Sequence, residues 1–198
     1  MKQSIARRIR HKGTVESRHD ADVLLEMPGD IVVVLRGVAR SVVIACPDGC
    51  GSKLTINLDP RAGKAWRAYH REEGFTLYPS IWRDSGCGAH FIVWRDAILW
   101  CSPDRFDGDV PSFNAEVTEQ VWHSLSAGAR TEIEIAGAID AVPWDVRRHL
   151  DQLIENGRAC RTSEMPPRYA RATQAETGKR DPSKRAQVPW WHRWFSRD

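Results

Sequence analysis

Two short phrases constrain this chain more than anything else in it: C-P-D-G-C over residues 46–50 and C-G-A-H over residues 87–90. Two close pairs of soft or borderline ligands, far apart in sequence, are what a tetrahedral zinc site needs. Pro47 and Gly49 lie between the first two cysteines, and Gly86 and Gly88 flank Cys87. Glycine permits the positive φ values that turn backbone amides toward sulfur. The phrases therefore predict two tight turns that bring Cys46, Cys50, Cys87 and His90 around one Zn2+. Cys101 is the alternative to His90 as fourth ligand.

Composition sets the frame. A chain of 198 residues, 41% hydrophobic with nine Trp, can build one domain or two small ones. It contains no apolar run long enough for a membrane-spanning helix, and its N-terminus has the charge but not the apolar core of a secretory signal. Five cysteines, with this spacing, fit a reducing cytoplasm better than a disulfide framework. The net charge of +3 hides an asymmetry. Lys2, Arg7, Arg8, Arg10 and Lys12 crowd residues 1–13, which contain no acid. The tail from Ser163 is also basic, so the middle carries excess negative charge. Basic ends suit a polyanion or an acidic partner, or are solvated and disordered.

The patterns predict an α+β chain: a small zinc-stabilised antiparallel β domain followed by a three-helix, winged-helix-like domain. Residues 1–13 are expected to be a disordered basic N-terminus. Short apolar runs at 22–27, 31–35 and 41–45 read as strands, punctuated by Pro28-Gly29-Asp30 and Arg36-Gly37. Leu54, Ile56 and Leu58 alternate with polar residues, the period of a half-buried strand. The first cysteine turn then links two strands, as in a zinc ribbon. Residues 65–73 read as a short helix or an irregular excursion, and 75–82 as a strand. Residues 90–94 and 97–101 read as a hairpin around Arg95-Asp96. Trp66 and Trp82 are assigned to the core of this β domain, or to the lining of a groove. The domain spans 14–105, and a Pro-, Asp- and Gly-rich linker occupies 106–113.

Beyond the linker the period becomes helical. Val117, Val121, Trp122 and Leu125 share a face. Thr131-x-x-Glu134 matches a capping box, and Pro143 opens a helix that Gly157 ends. These elements fill 114–162, with Trp122 and Trp144 in their core. Residues 163–198 are expected to be a disordered basic tail. Its end, Trp190, Trp191, Trp194 and Phe195, is a candidate anchor for a partner protein or a membrane interface.

Four protein ligands would close the zinc site and make it structural. The helical and deaminase zinc-enzyme motifs are absent. If Cys101 replaced His90 on the metal, His90 would be released for chemistry. Ser80, in F-T-L-Y-P-S-I, could then be a nucleophile with His90 as its base. Asp84 or Asp96 would orient the imidazole.

The phrases C-P-D-G-C-G, T-L-Y-P-S-I, C-G-A-H-F-I-V and I-L-W together resemble a bacterial zinc-knuckle family of unknown function. Its members are encoded beside ubiquitin-like proteins and their E1- and E2-like enzymes. The resemblance covers residues 30–101. It implies a role in ubiquitin-like conjugation, with the ubiquitin-like protein or the E1/E2-like enzymes as partners. It also implies a peptidase that processes or removes the tag, which adds weight to Ser80 and His90. The family often has a further cysteine where this chain has Asp48.

Three functions remain open on the sequence: a peptidase or deconjugase for a ubiquitin-like tail, a non-enzymatic adaptor with structural zinc, and a winged-helix DNA-binding regulator. Charge disfavours the last, because residues 114–162 carry five basic residues against eight acids and DNA readers present a basic face.

Overall fold

The computed structural model describes residues 4–101 and 114–172. The expected linker and the Trp-rich end at 190–195 lie outside the described residues. The chain is α+β and divides into two compact units, one up to residue 111 and one from residue 112.

The first unit holds two four-stranded sheets. In one, β1 (Arg10–Val15) leads through helix α1 (Arg18–Leu24) to β2 (Asp30–Arg36), and β3 (Val38–Ala45) and β4 (Lys53–Asn57) follow in spatial order. The β1–β2 pair is parallel, so this sheet is mixed rather than purely antiparallel. The cause is α1, which occupies residues where the apolar run suggested a strand. Ser17 caps α1 by accepting from the Asp20 amide, and Ala21 and Leu25 then pack with Val32, Val34 and Val43 on one face of the sheet. The other sheet is a meander of β5 (Arg67–Arg71), β6 (Gly74–Trp82), β7 (His90–Trp94) and β8 (Ala97–Trp100). Strand β5 replaces the helix or excursion considered there. It pairs with β6 and leaves mostly exposed side chains. Arg95 and Asp96, both at positive φ, form the β7–β8 turn.

The two sheets share one core. Ile31, Val42, Ile44 and Ile56 from the first meet Phe75, Leu77, Ile81, Phe91, Val93, Ile98 and Trp100 from the second. The expected disordered N-terminus contributes to that core instead. Ile98 donates to the Arg7 carbonyl and Ile9 to that of Asp96, both at 2.8 Å, and the Ile9 side chain is buried. Its arginines do not prevent this, because Arg7, Arg8 and Arg10 remain exposed. Arg10 Nε also donates to the buried Asp30 carboxylate at 2.8 Å, whose other oxygen accepts from the Glu26 and Met27 amides. Gly29 permits the close passage. A Cβ there would lie 2.7 Å from the Arg8 carbonyl oxygen.

Among its described residues the second unit has three α-helices, α2 (Ala115–Ser124), α3 (Glu132–Ala138) and α4 (Pro143–Glu155), and an antiparallel pair, β9 (Ala159–Arg161) with β10 (Tyr169–Arg171). The Thr131–Glu134 capping box is formed in both directions. Val121, Leu125, Ile135, Val146, Leu150, Leu153 and Tyr169 make the core. Strand β10 falls in the tail expected to be disordered. Tyr169, fully buried, supplies the apolar surface that orders it. Trp144 is buried as expected, whereas Trp122 lies at the surface of this core, stacked by the Arg158 and Arg171 guanidinium groups.

Candidate functional site

Two neighbouring groups of side chains are built by the ends of β3, β6 and β7. The first is a thiol cluster. Cys46 directly follows the buried end of β3, and the turn there is closed by Cys46 N–H to Ser52 O at 2.7 Å and Gly49 N–H to Cys46 O at 3.1 Å. Gly49 and Gly88, at φ 76° and 63°, bend the two loops so that their sulfurs converge. Cys46, Cys50 and Cys87 place their sulfurs within 4.8 Å of one another, with Cys46 and Cys87 at 3.7 Å.

The environment of these thiols is graded. Burial pushes Cys46 up to about 12, partly offset by an Asp48 amide aimed at its sulfur. Burial also opposes ionisation of Cys50. Hydrogen bonds from the Ser52 amide and hydroxyl, with the neighbouring thiols, outweigh it and bring Cys50 down to about 7. Arg83 Nη1 lies 3.4 Å from the Cys50 sulfur and 3.8 Å from that of Cys87. Three convergent sulfurs with amide and guanidinium donors around them fit a thiolate-bound cation such as zinc.

His90 and Cys101 are not part of this group. Strand alternation is the reason. Ala89 and Phe91 are buried in the shared core to which Cys46 also belongs, so His90 between them faces the other way. Ile98 and Trp100 likewise face the core, and Cys101 follows on the opposite side. Cys101 is buried, its thiol pushed up to about 12 by that burial, and its amide donates to the His90 carbonyl at 2.9 Å.

The second group centres on His90, whose Nε2 lies 3.2 Å from Ser80 Oγ. With its proton on Nδ1, the imidazole accepts from the hydroxyl. Burial holds the His90 pKa below its ordinary value, which favours the neutral ring that can act as a base. Ser80 reaches His90 because the β6–β7 register shifts between Leu77 and Ile81. Such bulges re-aim side chains. Trp66 holds the segment by donating its indole N–H to the Ser80 carbonyl at 3.2 Å. Trp82 pairs with His90 in the ladder and lies against it, ring centroids 5.8 Å apart. Far from being core, Trp82 is 66% exposed.

Of the carboxylates considered for orienting His90, Asp96 is engaged elsewhere. It accepts from the Phe75 amide at 2.9 Å and meets His11 at 3.2 Å. Asp84 is exposed in the β6–β7 loop. Sequence reasoning missed Arg83 here and offered Trp66 and Trp82 only as core or as the lining of a groove. Only Trp82 carried a signal, since it lies two residues from Ser80 on a strand and so shares its face.

A family model described as bacterial ubiquitination-like system serine protease (BubE) matches residues 16–101. The match covers less than half of the chain but spans Ser80, His90 and the three clustered cysteines. It links this chain to a bacterial ubiquitin-like conjugation system. No curated protein and no solved structure matches the chain.

Proposed function

We propose that this chain is a serine peptidase acting on conjugates or precursors in a bacterial ubiquitin-like system, with Ser80 as nucleophile and His90 as general base. The observation that carries this reading is the 3.2 Å Ser80 Oγ–His90 Nε2 contact, inside the span similar to a serine protease family. His90 takes the Ser80 proton as Oγ attacks the carbonyl carbon of the scissile bond. The tetrahedral intermediate collapses, and the proton passes to the departing amine. Water, activated by the same imidazole, then releases the acyl group from Ser80. The adaptor reading rested on a closed site with His90 on the metal, and the contact with Ser80 favours the peptidase.

Cys46, Cys50 and Cys87 would hold the zinc, and its contribution is a cross-link between the β3–β4 turn and the β6–β7 loop. Three thiolates are one ligand short of a closed tetrahedral set. The thiols fit a reducing compartment such as the cytoplasm, and no helix among the described residues is long and apolar enough to cross a membrane. Three helices followed by a two-stranded ribbon support a winged-helix-like reading of the second unit. We assign it to binding the ubiquitin-like protein or its E1/E2-like enzymes, because its acidic balance disfavours nucleic acid. Trp190, Trp191, Trp194 and Phe195 are proposed as a further partner anchor.

The test is labelling of the zinc-loaded full chain by a small alkyl fluorophosphonate. Covalent modification at Ser80, abolished in Ser80→Ala and strongly slowed in His90→Ala, is the expected result. An unlabelled Ser80 in a folded, zinc-loaded protein would rule out the hydrolase reading.

A further inference from the structure

Trp82 is the exposed large side chain beside the Ser80–His90 pair, and the proposed chemistry does not use it. An indole 66% exposed is costly to leave in water. Its place is set by the strand, since Trp82 follows Ser80 by two residues on β6. Their side chains emerge from one face about 6.6 Å apart. That is the span of two residues of an extended substrate. On its other side the indole lies against His90, tilted by 31°.

This position selects one half of the substrate. An imidazole that removes the serine proton must hand it to the departing group, so the leaving-group half passes over His90. Trp82 stands where that half continues. The exposed ring selects its chemistry. An indole gains most from covering apolar surface, and its face is wide enough for an aliphatic side chain or a methylene stem to lie across it.

Resting on the Ser80–His90 reading, we infer that Trp82 is a specificity-determining platform. It takes an apolar side chain, or the uncharged methylene stem of an acylated lysine, on the leaving-group side of the scissile bond. Aromatic anchors of this kind carry much of the binding energy at recognition sites.

The experiment is protection of Ser80 from the small fluorophosphonate by short peptides that place Leu or Gly two positions after the bond to be cut. It uses the zinc-loaded full chain and needs no turnover. In the wild type, the Leu peptide should protect at about thirtyfold lower concentration than the Gly peptide. In Trp82→Ala that advantage should vanish, read as the ratio of protecting concentrations so that any change in the labelling rate itself cancels, and Trp82→Phe should retain most of it. Equal protection by the Leu and Gly peptides, or no protection by either, overturns the platform. So does a Trp82→Ala variant that keeps the wild-type preference for the Leu peptide. Absence of labelling in the wild type removes the hydrolase reading itself and this inference with it.

Discussion

Replacing Trp66 by Phe isolates one hydrogen bond at the proposed nucleophile. The indole N–H donates to the Ser80 carbonyl at 3.2 Å, and the ring packs against the shared core with Lys64 above it. Phenylalanine keeps an apolar ring in that place but removes the donor. A neutral hydrogen bond of this kind is worth about 1 kcal/mol net, or about 4–8 °C in Tm for a unit of this size. The effect on reactivity should be larger than that share of stability implies. Ser80 sits in a register shift, where the ladder to β7 does not fix the backbone regularly. Displacing a reacting atom by about 1 Å can cost about a hundredfold in rate, and a partial displacement here should cost about tenfold. The assay is the second-order rate of fluorophosphonate labelling, read beside a thermal melt. Lower Tm with an unchanged labelling rate would show that the bond is only structural and that the bulge positions Ser80 alone.

His90 is held below the ordinary imidazole value of 6.5 by burial. Labelling should therefore rise with a midpoint below pH 6.5 and be flat above it; a midpoint above 6.5 contradicts the assignment. The sign for stability is the same. Around and below pH 6.5 the unfolded chain binds more protons than the folded one, so the contribution of His90 is intact above that pH and is lost as pH falls. Cys87→Ser, or chelation of the metal, should lower zinc content and labelling together, and X-ray absorption on the wild type should count three sulfur ligands. Retained zinc in Cys87→Ser would refute the ligand set. In the second unit Arg147 pairs with Glu132, both nearly buried, and burial raises the Glu132 pKa against that pairing. Arg147→Met alone should cost about 3–5 kcal/mol by removing the guanidinium that pairs with a buried carboxylate, while Arg147→Met with Glu132→Leu should recover most of it. Chemical denaturation of the isolated changes checks this.

What the sequence revealed depended on whether a signal was local. Period-2 alternation in 54–58 and the Arg95-Asp96 turn are local, as is the capping box at Thr131, and each reads directly. The thiol pairing was legible because turn glycines and cysteines are neighbours. The fate of residues 4–13 was not, because Arg7, Arg8, Arg10 and Lys12 outweigh Ile9 in any local window, whereas the fold needs only that residue and an edge to pair with. The helix at 18–24 was hidden for the same reason: its apolar positions are too few to show a period, and its Ser17 cap is a single side chain. Tyr169 likewise orders a strand inside a segment whose composition reads as tail.

His90 shows how motif spacing and strand alternation can disagree. C-G-A-H has zinc-like spacing, and spacing alone assigns His90 with Cys87. But His90 is also the first residue of β7, and a strand sends neighbours to opposite faces. Once Phe91 enters the core that contains Cys46, His90 must leave it. The same alternation on β6 sends Ile81 inward to that core and Ser80 and Trp82 outward. One hairpin thus carries the clustered thiols on its core side and the Ser80–His90 pair on its outer side, separated by a strand's thickness. Cys87 and His90 are three residues apart, so a metal that fixes the loop also fixes the start of β7. This connection gives the thiol cluster a reason to sit beside Ser80 without any step of the proposed reaction passing through the proposed metal.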